Sequence, residues 1–327
     1  MSRGAEFALP EPRAARRAFE RAAAAFDAAS IVHDEARRRL LERLDYVRLE
    51  PAVAVDLGCA TGRSAEALAA RYGSARVLAV DSSLAMLEAA RRRTRLVIAG
   101  DAERLPLADG SVDLVFANMA LPWGRPDRVF AEAARVLTDG GLIAFSTLGP
   151  DSLEQVRRAW ASVDDRIHVH GLFDMHDLGD LAIAAGLDEP VLDVDRLTLT
   201  YKDVESMIRD LRACGAINTA AGRRRTLTGR RRWAGFERAL LADRRDGRFS
   251  VTIELILGQA FGTGGSRSQK SGSPHEAAVP ISQIGRRPRR SRAQREALPV
   301  RYNPQTRAHA NSARIHAPTF NCHQLVG

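Results

Sequence analysis

Apolar positions recur at helical spacing over residues 13–29, through Phe19, Ala22, Ala23 and Phe26, and again over 34–47, through Leu40, Leu41, Leu44 and Val47. Pro51 closes the second stretch. The next hundred residues alternate short apolar runs with helical segments. The runs VAVDL (53–57), RVLAV (76–80), RLVIA (95–99), VDLVFAN (112–118) and GLIAFSTL (141–148) predict strands. Helices at 63–72, 83–93 and 126–137 fit between them. Continuously apolar strands separated by helices predict a parallel sheet covered on both faces. After Pro150 the pattern predicts helices at 151–161 and 175–186 around a His-rich loop at 165–174. A strand at 191–201, helices broken by a basic loop over 203–247, and a last strand at 250–258 follow. No internal repeat is evident. From Thr263 the chain turns to Gly, Ser, Arg, Gln and Pro, so 263–327 is expected to be a disordered tail.

Composition changes this picture little. Of 327 residues, 45% are hydrophobic and 27% charged, which excludes wholesale disorder. The net charge of +9 suggests a polyanionic partner until its distribution is counted. Residues 263–327 hold 11 Lys+Arg against 2 Asp+Glu, so residues 1–262 are neutral. The run RRPRRSR (286–292) reads as solvated tail, and a nucleic-acid partner is not expected. Cys59, Cys214 and Cys322 have no metal or redox spacing, which fits a reducing, cytoplasmic compartment. No apolar signal core opens the chain and no run of about 18 apolar residues occurs, so no membrane segment is expected.

The chemistry concentrates at VAVDLGCATG (53–62), where a strand ends in Asp56 and a turn carries Gly58, Ala60 and Gly62 into a helix. A Gly-rich turn at a strand's carboxyl end lets a ligand approach the backbone. The second strand ends at Asp81, 19 residues beyond Gly62, where an acid can accept both hydroxyls of a ribose. The third run leads to Asp101 and the fourth ends at Asn118. Four consecutive strands thus deliver polar residues to one sheet edge, where open parallel sheets bind ligands. A dinucleotide and other nucleoside-like ligands both remain open on these residues alone.

The motifs DLGCATG, AVDSSLAML and GDAERLPLADGSVDLVFANMAL, taken as a set over about 50–150, resemble the class I S-adenosylmethionine-dependent methyltransferases. The resemblance implies a Rossmann-like α/β fold with a mostly parallel seven-stranded sheet flanked by helices. It further implies an N-terminal helical cap (1–50) and a methyltransferase domain (51–262) with a helical lid insertion (203–247). S-adenosylmethionine is the implied cofactor. Gly58 and Gly62 would hold its methionine moiety, Asp81 the ribose hydroxyls, and Asp101 with the Ala102 amide the adenine. Asp56 would brace the loop, Met86 would pack on the adenine, and Ser82 and Asn118 join the cofactor contacts. Ala60 stands where the family usually has glycine; if its φ is positive the methyl costs roughly 1 kcal/mol or more.

The outer segments are more particular. Residues 16–45, ANMALPW (117–123), 145–187, 211–230 and TIELILGQAFG (252–262) together look like the malonyl-acyl-carrier-protein O-methyltransferases of biotin synthesis. That resemblance implies methyl transfer to the free carboxylate of malonyl-acyl carrier protein or malonyl-coenzyme A, by a monomer. The carboxylate is ionised at neutral pH, so neither a general base nor a metal is needed. Arg166 and His168 are the candidate donors that fix the carboxylate, with Phe26 and Trp123 as pocket walls and Asn118 nearest the transfer. His168, His170, Asp174 and His176 cluster without a familiar ligand spacing, so no metal is expected. GRRRTLTGRRRW (222–233) is the candidate docking patch for an acidic carrier, placed in the lid insertion. Three alternatives stay open: another methyl acceptor such as a quinone precursor, a protein-arginine hydroxylase resembling those of complex I assembly, and an assembly factor without turnover.

Overall fold

The computed structural model describes residues 8–264 and 314–316. Its strands are β1 (Val53–Leu57), β2 (Arg76–Asp81), β3 (Val97–Ala99), β4 (Val112–Asn118), β5 (Leu137–Leu148), β6 (Asp188–Tyr201) and β7 (Phe249–Thr263). They form one sheet in the order β3-β2-β1-β4-β5-β7-β6. Neighbours among β1 to β5 pair in parallel, and β7 runs antiparallel to both β5 and β6. A three-residue strand, β8 (Arg314–His316), pairs in parallel with Thr198–Thr200 of β6. The tail's composition carries no sign of it; most of 265–327, where disorder is expected, lies outside the described residues.

The helices are α1 (Pro12–Ala22), α2 (Phe26–Ala29), α3 (Ile31–Arg43), α4 (Arg63–Arg71), α5 (Leu84–Ala90), α6 (Pro126–Val136), α7 (Glu154–Ala161), α8 (Met175–Ala184), α9 (Val204–Ala213) and α10 (Arg230–Leu241). The period-two alternation of the strands sorts their side chains between two cores. Ala54, Leu114, Phe116, Leu142, Ala144, Ile253 and Leu255 face α3, α4, α5, α7, α9 and α10. Val55, Val115, Ile143, Phe145 and Ile256 face α6 and α8. Strand order reverses between β1 and β4, so a crevice opens at their carboxyl ends.

Three departures from the apolar pattern have physical causes. The single helix expected over 13–29 breaks at Ala23–Ala25, and Phe26 beyond the break joins a small cluster with Ala22, Met86 and Cys214. β7 runs past Gly258 to Thr263 because β5 and β6 both continue to pair with it, satisfying its backbone groups. β5 starts at Leu137 across a register shift that contains Gly140 at φ 73°. Among the described residues no helix is long and apolar enough to cross a membrane.

The β5–β7 contact is closely packed. A Cβ on Gly258 would lie 2.2 Å from Phe145 Cζ, and Phe145 is fully buried, edge-on to Phe130 at 5.1 Å. Gly258→Ala is expected to destabilise the fold by roughly 1–3 kcal/mol, because the ring has no free volume to enter. An unchanged denaturation midpoint would show that the strands can part at this position.

Candidate functional site

A cavity of about 280 Å³ lies at the carboxyl edge of β1, β2 and β4, roofed by α1. Its floor is the turn 58–62. Gly58 and Cys59 both donate backbone N–H groups to the Val80 carbonyl, at 2.8 and 3.0 Å, which draws the turn over the end of β2. Gly58, Ala60 and Gly62 all adopt the left-handed conformation, with φ of 69°, 46° and 83°. A Cβ on Gly58 would meet Ala120 Cβ at 2.7 Å, so glycine keeps the floor open there. Gly62 abuts Ala90 and caps α4. Ala60 is thus a non-glycine residue in the strained region.

Two acids, the half-buried Asp81 and the buried Asp56, hold this turn. The Asp81 carboxylate accepts from Ala60 N–H at 3.0 Å and from Ser83 N–H at 2.8 Å. Burial raises its pKa against those N–H groups and that of Ser82. A carboxylate has about four lone-pair sites, so Asp81, which lines the cavity, retains acceptor capacity. Asp56 lies behind the turn, where it accepts from Ala65 N–H in the first turn of α4 at 2.8 Å. Its other oxygen is buried without a hydrogen-bond partner. Burial pushes Asp56 up to about 7, and the charge of Asp81 adds to the shift.

A third acid ties the cap to the turn. Asp27 accepts from the Thr61 hydroxyl at 2.6 Å and from Arg93 at 2.6 Å, while Arg93 also donates to the Thr61 carbonyl. Burial pushes Asp27 up, but Thr61, Arg93 and Arg63 more than offset it and hold the carboxyl below its ordinary value.

The cavity gathers many of the residues singled out by sequence: Phe26, Gly58, Ala60, Asp81, Ser82, Asp101, Ala102, Asn118 and Trp123 line it. Asn118 is held from both sides, donating to the His33 carbonyl at 3.1 Å and accepting from Ser146 at 2.8 Å. Trp123 meets Phe19 edge-on at 4.9 Å.

Other candidates lie elsewhere. Met86 is fully buried in the cluster under Phe26 and is not part of the lining. Arg166 and His168 are also outside it. His168 stacks on Trp160 at 3.8 Å and bonds Asp164 at 2.8 Å, and Phe236 also stacks on Trp160, at 4.2 Å. Arg166 points to solvent beside Asp165. The pair follows β5 in sequence, but aromatic packing draws its segment onto α7 and α10. His170 is buried against Trp123, and His176 is exposed beside Asp174.

No residue of the 203–247 insertion lines the cavity. Its α9 packs behind α1 and α2, so the N-terminal cap is the cover. Arg223 and Arg225 of the basic loop both pair with Glu11.

Phe19, His33, Arg37, Thr61 and Glu103 also line it. Thr61 stands inside the Gly-rich motif and Phe19 on the first apolar stripe, so both had a signal. His33 and Arg37 look like solvated helix charges and had none. Burial pushes His33 down to about 4, with Arg37 adding to the shift, so its imidazole is neutral at neutral pH.

The residues fit S-adenosylmethionine. They offer a floor that a Cβ on Gly58 would fill and, at the end of β2, the acid Asp81 facing the cavity, with Asp101 and Ala102 beside it. The fold and site define a class I S-adenosylmethionine-dependent methyltransferase. Residues 55–145 match the family model described as a methyltransferase domain. The solved structure of BH2331 from Bacillus halodurans shares the fold with a TM-score of 0.50 at 18% identity, over 69% of this chain and 97% of that one. The malonyl-[acyl-carrier protein] O-methyltransferase of Gallionella capsiferriformans is 41% identical over 78% of this chain and 92% of its own length. That of Laribacter hongkongensis is 43% identical over 75% of this chain and 88% of its own length. The chain belongs to the malonyl-[acyl-carrier protein] O-methyltransferase family, and S-adenosylmethionine is its cofactor.

Two outcomes follow from the floor. Ala60→Gly relieves a left-handed Cβ and should stabilise the apoprotein by roughly 0.5–1 kcal/mol after the added chain entropy of glycine is charged against it. A lower melting temperature would mean that Ala60 is unstrained. Asp56 holds its proton up to about pH 7 when folded but only up to its ordinary value of 3.8 when unfolded, so the folded chain carries the extra proton between these values. Its stabilising contribution is full below about pH 4 and is lost as pH rises through 7. His33 and His170, both pushed down to about 4 by burial, act oppositely and favour folding as pH rises toward 6.5. Asp56→Asn removes only the first effect. Its melting temperature relative to the parent should therefore climb between pH 5 and 7.5, and parallel curves would rule out the buried proton.

Proposed function

We propose that this chain transfers the methyl group of S-adenosylmethionine to the free carboxylate of a malonyl thioester on acyl carrier protein. The setting is a reducing cytoplasm, the active form a monomer, and the product an early intermediate of biotin synthesis. The observation that carries the reading is the match, over nearly their whole length, to relatives named for that reaction.

The cofactor supplies an electrophilic methyl carbon on a sulfonium centre. Asp81 takes the ribose hydroxyls with the lone pairs left after Ala60 and Ser83, and Ser82 lies beside it. Gly58 admits the methionine part, Gly62 and Asp56, which do not line the cavity, hold the turn from behind, and Asp101 and the Ala102 amide take the adenine edge. The acceptor carboxylate arrives ionised, so the protein has to orient it and exclude water. Phe19, Phe26 and Trp123 form the apolar wall for this. His33 is the polar group best suited to orient the carboxylate, because a neutral imidazole donates a hydrogen bond without quenching the nucleophile's charge. Asn118 fixes the backbone that carries His33.

The test is methyl transfer from labelled S-adenosylmethionine to malonyl carrier protein by the full chain, with cofactor binding followed by calorimetry. The expected product is the malonyl methyl ester. Asp81→Asn should weaken cofactor binding by roughly tenfold, the scale of one charge-assisted hydrogen bond. Tight cofactor binding without ester formation would overturn the acceptor assignment, and an unchanged Kd in the variant would overturn the ribose contact.

A further inference from the structure

We propose that the exposed arginine face of α1 is the docking surface for the acidic carrier protein, with the acyl arm entering the cavity past Arg13 and Arg16. This rests on the carrier reading above and gives it a surface. α1 carries Arg13, Arg16, Arg17 and Arg21 against a single acid, Glu20, in 11 residues. Its inner face is Ala15, Ala18 and Ala22, all buried, and the four arginines point outward. Among the described residues the ion pairing of this face is one loose contact, Arg16 to Glu20 at 3.5 Å.

That charge is costly to the helix itself. Arg13, Arg17 and Arg21 are like-charged neighbours at i,i+4 spacing. Arg13 also sits in the first turn, at the positive end of the helix dipole, with no acid in that turn. An anionic partner relieves both conflicts.

Position strengthens the case. Arg13 and Arg16 line the cavity, with Phe19 one turn further along the same face. α1 is also held firmly. Glu11 pairs with Arg223 and Arg225, its N–H donates to the Thr219 carbonyl, and Pro10 bridges to Ala220. The inner arginines of the basic loop therefore anchor the start of α1, while among the described residues Arg13, Arg17 and Arg21 of its outer face make no ion pair. A carrier presents its acyl group on a long arm joined by a phosphodiester. With the acyl end inside the cavity, that phosphate and the acidic surface around it stop at the rim, where the arginines stand. Rim charges of this kind set association rate and salt dependence.

The test uses the full chain carrying Arg17→Glu and Arg21→Glu, neither of which lines the cavity. Methyl transfer is measured to malonyl carrier protein and to malonyl-pantetheine, which lacks both protein and phosphate, at low salt and at about 0.3 M salt. KM for the carrier should rise about tenfold at low salt with kcat within about twofold, and the deficit should shrink at high salt. Malonyl-pantetheine turnover should stay within about twofold, which also shows that the variant is folded. The neutral pair Arg17→Gln and Arg21→Gln should fall between, and reversal of Arg230, Arg231 and Arg232 on α10 should change carrier KM less than the α1 reversal does. A carrier KM unaffected by the α1 reversal, or a loss produced instead by the α10 reversal, overturns the docking face. Equal losses with both acceptors also overturn it, since the face would then serve the cavity. A parent that binds S-adenosylmethionine but never methylates malonyl carrier protein fails at the earlier step, and the carrier reading falls with the surface.

Discussion

The turn between β1 and α4 constrains everything around it. Three of its five residues are left-handed, and one of those is alanine. Such a turn persists only where its surroundings over-determine it. Here Val80 takes two of its N–H groups, Asp81 takes that of Ala60, and Asp27 takes the hydroxyl of Thr61. β2 and the N-terminal cap are thereby fastened to the same five residues. The floor of the cavity, the start of α4 and the seat of α2 cannot shift independently.

This fastening leaves charges in poor solvent. Asp56 and Asp81 are raised by burial, and His33 is lowered by it. Each is disfavoured in its charged form in the apoprotein. A ligand that brings positive charge and hydroxyl donors to the acids supplies what the fold withholds. The conflict gathers at the carboxyl edge of the sheet, where Asp56 and Asp81 stand at the ends of β1 and β2. Functional sites commonly carry such local violations of otherwise consistent packing.

The cap and the insertion divide the outer layer between them. α1 covers the cavity and supplies Phe19, while α9 supports α1 from behind; a Cβ on Gly215 would already touch the Phe19 ring at 2.7 Å. The 163–173 segment belongs to a third layer, held by the Trp160 stack and by Asn218, which donates to the Ile167 carbonyl. Arg166 and His168, which follow β5 in sequence, therefore stay out of the cavity lining, whereas Phe19 and His33, far away along the chain, are part of it.

Much of this was legible in the chain itself. The alternating runs 53–57, 76–80, 112–118 and 141–148 determined the parallel half of the sheet, because burial on both faces demands continuous apolar strands. The glycine turn and the acids after β1 and β2 determined where a ligand sits, because strand direction alone puts them on one edge. Tertiary structure decided the rest. Whether Ala60 is strained depended on its φ, which β2 and α2 impose from outside the motif. His168 became a packing residue because Trp160 offered it a stack, and His33 became a site residue because α3 lies across the end of β4. Motifs encode local geometry, whereas the walls of a cavity are chosen by which helices pack over it, and packing is a property of surfaces that meet only once the chain has folded.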